Sequence, residues 1–269
     1  MKTLALRDEA YGNKDLGYLE CYERPRAFYF ELPPDADPWE LPFILHEFAQ
    51  RGHLSVDGQW SRRWVESRLV PPERQNLGEV LRVNCLREYD ELKLLELTGG
   101  RCSQDSCYLV PVLGDGLPTW YAKRISRRLL DAFAVGGNRL VLSFADGGVY
   151  DCPMARVLAD DRAFARVLLE EERFMRVALQ PGGHGVQWGE RLGVDADTLR
   201  SEGIRLDLSP LDLALLTDQV VCDTSEAMRI LGCSRQNISD LVRRGKLTPR
   251  KVTSHLTLFL RSDVLARRG

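Results

Sequence analysis

A run of cationic and hydrogen-bonding side chains near the C-terminus is the part of this sequence best suited to chemistry with a polyanion. Ser234, Arg235, Gln236, Asn237 and Ser239 fall close together, followed by Arg243, Arg244 and Lys246 and then by Arg250, Lys251 and His255. Arg, Gln and Asn can donate and accept against base edges in a DNA major groove, whereas Arg and Lys without a fixed geometry neutralise phosphates and add affinity without sequence choice. From Asp223 to Gly269 there are ten Lys/Arg against four Asp/Glu, a surplus of six in a chain whose total is −2, so residues 1–222 carry −8. Such a split gives one end of the molecule an affinity for anions that the rest lacks.

The elements that must position these residues are legible around them. Asp223-Thr-Ser-Glu226 reads as a capping box opening a short helix whose Ala227, Ile230 and Leu231 point inward, and Gly232 ends it. Ser234 caps a second helix, Arg235 to Arg244, with Ile238, Leu241 and Val242 on one face and the polar candidates on the other. Leu247–Val252 and Leu256–Leu260 read as a two-stranded wing, and Asp263 as the cap of a final helical turn. Arg235, Gln236 and Asn237 at the helix start are placed to read bases. Arg243, Arg244 and Lys246 at its end are placed to meet phosphates.

Other constellations carry less. Cys102 and Cys107 have no second Cys or His pair at zinc spacing, and His46 and His53 sit at and just past a helix end. Asp160-Asp161 and Glu170-Glu171-Glu172 read as caps or a solvated helix face. No glycine-rich phosphate loop, nucleophile elbow or zinc-hydrolase helix occurs. The expectation is a protein without catalysis, metal or cofactor.

Upstream, Ala27–Leu32 reads as a strand closed by Pro33-Pro34. It is followed by a helix capped by Asp37 with Leu41, Ile44, Leu45 and Phe48 on one face, and by helices at Gln59–Leu69, Leu77–Val83 and Tyr89–Leu97. Beyond Leu117-Pro118 come short strands. Arg139–Phe144 and Val149-Tyr150 flank Ala145-Asp-Gly-Gly148 as a hairpin, Pro181-Gly-Gly183 turns a second one, and Asp195 caps a short helix. The sequence therefore predicts an α+β multidomain chain. Its parts are a mostly helical N-terminal domain over 1–120, a small hairpin-rich α+β domain over 121–212, and a C-terminal winged helix-turn-helix over 213–269.

Two resemblances accompany this reading. Thr224-Ser-Glu226-Ala227, Ile230-Leu-Gly232, Ser234-Arg-Gln-Asn237-Ile238, Leu241-Val, Arg244-Gly-Lys-Leu247 and Ser262-Asp263-Val264 resemble the helix-turn-helix of excisionases and of the winged regulators of the MerR type. That resemblance implies a second helix in the major groove and a wing beside the backbone. The stretch from about Arg124 to Gly203, through Ser143-Phe-Ala-Asp-Gly147, Asp151-x-Pro153, Asp161-x-x-Phe164, Gly185-Val-Gln-Trp188 and Asp195-x-Asp197-x-Leu199, resembles a small bacterial domain family of unknown function, with Leu169–Phe174 as an insertion. It implies an α+β fold and little chemistry.

A hydrophobic content of 44% with 28% charged residues is that of a folded chain, and no run is long or apolar enough for a membrane span. The early charges of the first fourteen residues disfavour a secretory signal, and seven scattered cysteines suit reduced thiols. The expectation is a cytoplasmic, homodimeric transcriptional regulator that binds double-stranded DNA. The rival is an adaptor or antitoxin-like protein whose basic end docks on an acidic protein.

Overall fold

The first segment of the chain alternates in a way that buries both faces of a strand. In β1 (Lys2–Asp8) Leu4 and Leu6 point to one side and Ala5 to the other, and all three are buried. β2 (Asp15–Glu23) and β3 (Arg26–Glu31) follow as antiparallel neighbours, with Leu19 opposite Phe30 and Glu20 opposite Tyr29. With β4 (Ser55–Val56) and β5 (Cys107–Pro111) they form a five-stranded sheet of order β4-β3-β2-β1-β5. This computed structural model describes residues 1–112, 116–158, 161–189 and 192–267.

The N-terminal part is thus strand-rich, and the expectation of a mostly helical domain is overturned. Helices are present, but they cover a sheet. α1 (Phe43–Gln50), α2 (Gly58–Glu66) and α4 (Glu91–Thr98) bring Leu45, Trp64, Val65, Leu94 and Leu95 onto the face formed by Leu6, Leu19, Cys21, Phe28 and Phe30, and α3 (Leu77–Val83) adds the half-buried Leu81. Because β1 and β2 are covered on both sides, they lack the apolar/polar alternation that marks a half-exposed strand. Asp37 caps only a three-residue turn, Pro38–Glu40, and α1 starts after Pro42.

α5 (Thr119–Ile125) places Tyr121 against Ala5 and Tyr18 on the opposite face of the sheet. A second sheet contains β6 (Leu129–Val135), β7 (Arg139–Phe144) and β8 (Val149–Pro153), with the β7–β8 turn at Asp146-Gly147 and Gly147 at φ +83°. A third, three-stranded sheet is built from Ala178–Leu179, Gly185–Trp188 and Leu192–Asp195, after which Asp195 caps the helix Ala196–Glu202 by accepting from the Thr198 amide. Leu140, Leu142, Phe144, Phe174, Val186, Trp188 and Leu199 share one core.

The chain divides into two compact units, one of residues 1–146 with 150–204 and the other of residues 147–149 with 205–269. In the second unit a helix, Pro210–Val220, opens with a reciprocal Ser209–Asp212 capping box and leaves Leu211, Leu215, Leu216 and Val220 exposed. A short strand, Val221–Asp223, leads into the helix Thr224–Leu231, which ends at Gly232 with φ +63°. The helix Arg235–Arg243 then begins, its Ser234 oxygen accepting from the Asn237 amide. Strands Pro249–Val252 and Thr257–Leu260 form a hairpin, and Val221–Asp223 pairs with the latter. Cys222, Ala227, Ile238, Leu247, Phe259 and Val264 make the buried core of this unit. No helix among the described residues is long and apolar enough to cross a membrane.

The glycine pair before His184 is required by close approach as well as by backbone angle. Gly183 has φ +73°, and a Cβ there would collide with the Leu129 carbonyl. Gly183→Ala is expected to lower unfolding stability by about 2–5 kcal/mol through strain and overlap. Gly137→Ala, at φ +76° with open space around it, should cost only the strain component; urea unfolding of the two variants compares them directly.

Candidate functional site

The helix Arg235–Arg243 has a buried side defined by Ile238, with Leu241 and Val242 half-buried beside it. At roughly 100° per residue, Gln236, Asp240 and Arg243 lie on the stripe farthest from that side, and Ser239 lies next to them. All eleven sequence-selected residues, Ser234, Arg235, Gln236, Asn237, Ser239, Arg243, Arg244, Lys246, Arg250, Lys251 and His255, are exposed. They do not share one task. The Ser234 hydroxyl oxygen is the helix cap, and the Ser239 hydroxyl donates to the Arg235 carbonyl at 3.1 Å. Arg243 donates to Asp240 at 2.6 Å, and Arg250 to Asp263 at 3.2 Å. Arg235, Arg244, Lys246 and Lys251 have no ion-pair partner among the described residues.

Two local features differ from the expected capping. Asp223 accepts from the Glu226 amide, but the Glu226 carboxylate turns to Arg261, which donates to it at 3.0 Å and also reaches the Gln219 carbonyl. Asp263 lies inside the last helix, Arg261–Leu265, rather than at its cap. In the hairpin, Thr253 accepts from the Leu256 amide through its side chain and donates to the Leu256 carbonyl through its backbone, holding Lys251 and His255 at the exposed tip. The result is a helix with a polar outer stripe beside a basic hairpin, both fixed on a small core. Asp240, at the centre of that stripe, was not singled out by sequence because an acidic residue ran against the basic pattern.

A second cluster lies in the first unit and was also missed. Glu20 and Glu31 project from the same face of β2 and β3, where period-two alternation also places Tyr18, Tyr22 and Tyr29. Glu20 receives hydrogen bonds from Tyr22 (2.7 Å), Tyr121 (2.5 Å), His184 Nε2 (3.1 Å) and both terminal nitrogens of Arg128. Glu31 accepts from Ser55 at 2.8 Å and from Arg128 at 3.0 Å. The His184 ring stacks on Tyr29 with centroids 3.8 Å apart. Glu20, Glu31, Arg128 and His184 are all buried.

Two carboxylates and an imidazole whose ligand atoms lie within 4.8 Å of one another are a donor set that a divalent cation could use. Arg128 already lies between the carboxylates and bonds to both, so the guanidinium supplies the positive charge, and a metal would have to displace it. Burial disfavours the Glu20 anion, but the bonds from His184 and Arg128 outweigh it and hold this carboxyl well below its ordinary range. Burial pushes Glu31 up to about 7 against the pull of Arg128, with the Glu20 charge adding to the rise. Burial, with Arg128 nearby, holds His184 below its ordinary value despite its bond to Glu20. The cluster ties the segments carrying these residues together rather than presenting them to solvent.

The remaining candidates have local roles. Cys107 is buried with its thiol donating to Asp8, and Cys102 accepts from Arg68. His46 bonds the Pro38 carbonyl at 2.7 Å. Asp161 caps a short turn and Glu170 pairs with Arg173, whereas Asp160 lies outside the described residues. The chain matches no protein-family model, no curated protein and no solved structure.

The Glu31 shift has a defined sign. A carboxyl whose folded-state value is raised stabilises the fold below the ordinary value of 4.5 and loses that contribution as pH rises through about 7. Glu31→Gln keeps an acceptor for Arg128 without the ionisation. The variant should therefore gain on the wild type as pH rises from about 4.5 to about 7, by about 1–3 kcal/mol, and keep that gain at higher pH. Thermal melts of both proteins across that range read the difference, and a gap that does not change with pH contradicts the assignment.

Proposed function

We infer that this protein is a DNA-binding regulator that reads duplex DNA with its C-terminal helix-turn-helix. The observation that carries the reading is the outer face of the helix Arg235–Arg243 and its flanks, where Gln236, Asn237 and Arg243 stand exposed beside the unpaired Arg235, Arg244, Lys246 and Lys251. Exposed amide and guanidinium groups on a helix about 10–12 Å wide fit a major groove of about 12 Å. The surplus of six positive charges over residues 223–269 supplies the phosphate attraction that the acidic remainder of the chain cannot. The hairpin tip, with Lys251 and His255, is the second backbone contact. No catalytic step enters this reading.

One such module offers a small footprint, so specific binding uses two copies on a two-fold site, with half-sites about one helical turn apart. Affinity then comes from Arg244, Lys246 and Lys251 at phosphates, and sequence choice from the outer stripe. The regulator is accordingly a homodimer when bound to its site.

Fluorescence anisotropy of the full chain on duplex DNA from upstream of its own gene, at several salt concentrations, tests the reading. Binding should weaken steeply with salt. Arg244→Ala and Lys246→Ala should each lower the log–log salt slope by about 0.9 and weaken all sequences alike. Gln236→Ala should weaken the preferred sequence by about 1–3 kcal/mol and unrelated DNA little. Absence of salt-dependent DNA binding by the folded protein would reject the reading and point to an acidic protein surface as the partner.

A further inference from the structure

We propose that Asp240 and Arg243 together read a cytosine and a neighbouring guanine in the target half-site, making Asp240 a specificity-determining residue. This inference rests on the DNA-binding reading above and adds the base chemistry of the site. Asp240 lies on the stripe opposite the buried Ile238, between Gln236 and Arg243, at spacings of four and three residues that keep all three on one helix face. Arg243 Nη2 donates to Asp240 Oδ1 at 2.6 Å, so guanidinium and carboxylate leave the helix as a pair.

A carboxylate at the centre of a basic face needs a physical reason. Exposed ion pairs three residues apart contribute little to a helix, so helix stability does not require this one. Facing DNA, the carboxylate would be repelled by phosphates unless it accepts a hydrogen bond from a base. The major groove offers two amino donors, N4 of cytosine and N6 of adenine. Adenine places the N7 lone pair beside its amino group, which repels an anion, while cytosine has only a C–H there. A carboxylate on this stripe therefore selects cytosine. Arg243, held at 2.6 Å from it, reaches a base pair no more than one step away, where guanine O6 and N7 accept both guanidinium donors.

The test uses the full chain and a duplex library with a randomised core, followed by anisotropy on the selected duplex and its single-base variants. For the wild type, replacing one C·G pair with T·A should weaken binding roughly 5- to 100-fold. Asp240→Ala should abolish the preference at that position and strengthen binding to unrelated duplex, because a negative charge leaves the interface. Asp240→Asn should move the preference from cytosine to adenine, since an amide donates to N7 and accepts from N6. If the wild type selects a sequence and both variants retain the same preference at every position, the inference is overturned while the DNA-binding reading stands. If the folded wild type binds no duplex, both fall.

Discussion

Two carboxylates on adjacent strands, Glu20 and Glu31, are fully enclosed, and their compensation constrains much of the first unit. An unanswered buried charge costs several kcal/mol, and removing one partner of a buried pair costs about 3–5 kcal/mol. The answering groups arrive from distant parts of the chain: Tyr121 from α5, Arg128 from the segment entering β6, and His184 from the turn after Gly182-Gly183. For His184 to arrive, its loop must pass so close to Tyr22 and Leu129 that no Cβ fits at either glycine. Residues 1–146 and 150–204 consequently behave as one unit, although they contain three sheets. A hydrophobic interface could slide by a residue. One in which Glu20 takes donors from Tyr22, Tyr121, Arg128 and His184 has a single register.

The second unit solves the opposite problem. Its helix-turn-helix core is small, a cluster of six buried side chains among the described residues, so capping and short turns do much of the work of fixing its helices. Asp223, Ser234 and Ser209 each close a helix start, and Gly232 allows the chain to turn between two helices. Arg261 links the strand, the first helix and the preceding helix through Val221, Glu226 and Gln219. Apart from the Ser234 cap, the bond from Ser239 to Arg235 and the Arg243–Asp240 pair, these economies leave the outer face of Arg235–Arg243 free of structural duty. Charge is neutralised inside the first unit and left exposed on the second.

Legibility in the sequence follows the same division. Local signals worked where the structure is local: Leu77–Val83 is a helix as spacing predicts, Asp146-Gly147 turns a hairpin, and the two helices around Gly232 fall within a residue of their expected bounds. The five-stranded sheet was not legible, because β1 and β2 are buried on both faces and their pattern lacks clean alternation. Ala27–Leu32 stood out as a strand, but of its two neighbours β2 precedes it and β4 is a two-residue strand beyond the first helix, and a lone strand among helical stretches reads as a helical domain.

The polar cluster was hidden for a different reason. Glu20 and Glu31 alternate with apolar residues, which in isolation is the mark of a solvent-facing side of a strand. Only their partners reveal them as interior, and those partners lie about 100 and 160 residues away in sequence. Asp240 presents the mirror case. It ran against the basic pattern of its sequence neighbours, and only the helix phase, set by the buried Ile238, puts it on the outer stripe between Gln236 and Arg243. In both units the acidic side chain that sequence passed over is answered by a specific guanidinium, Arg128 for Glu20 and Glu31 in the interior of the first and Arg243 for Asp240 on the surface of the second.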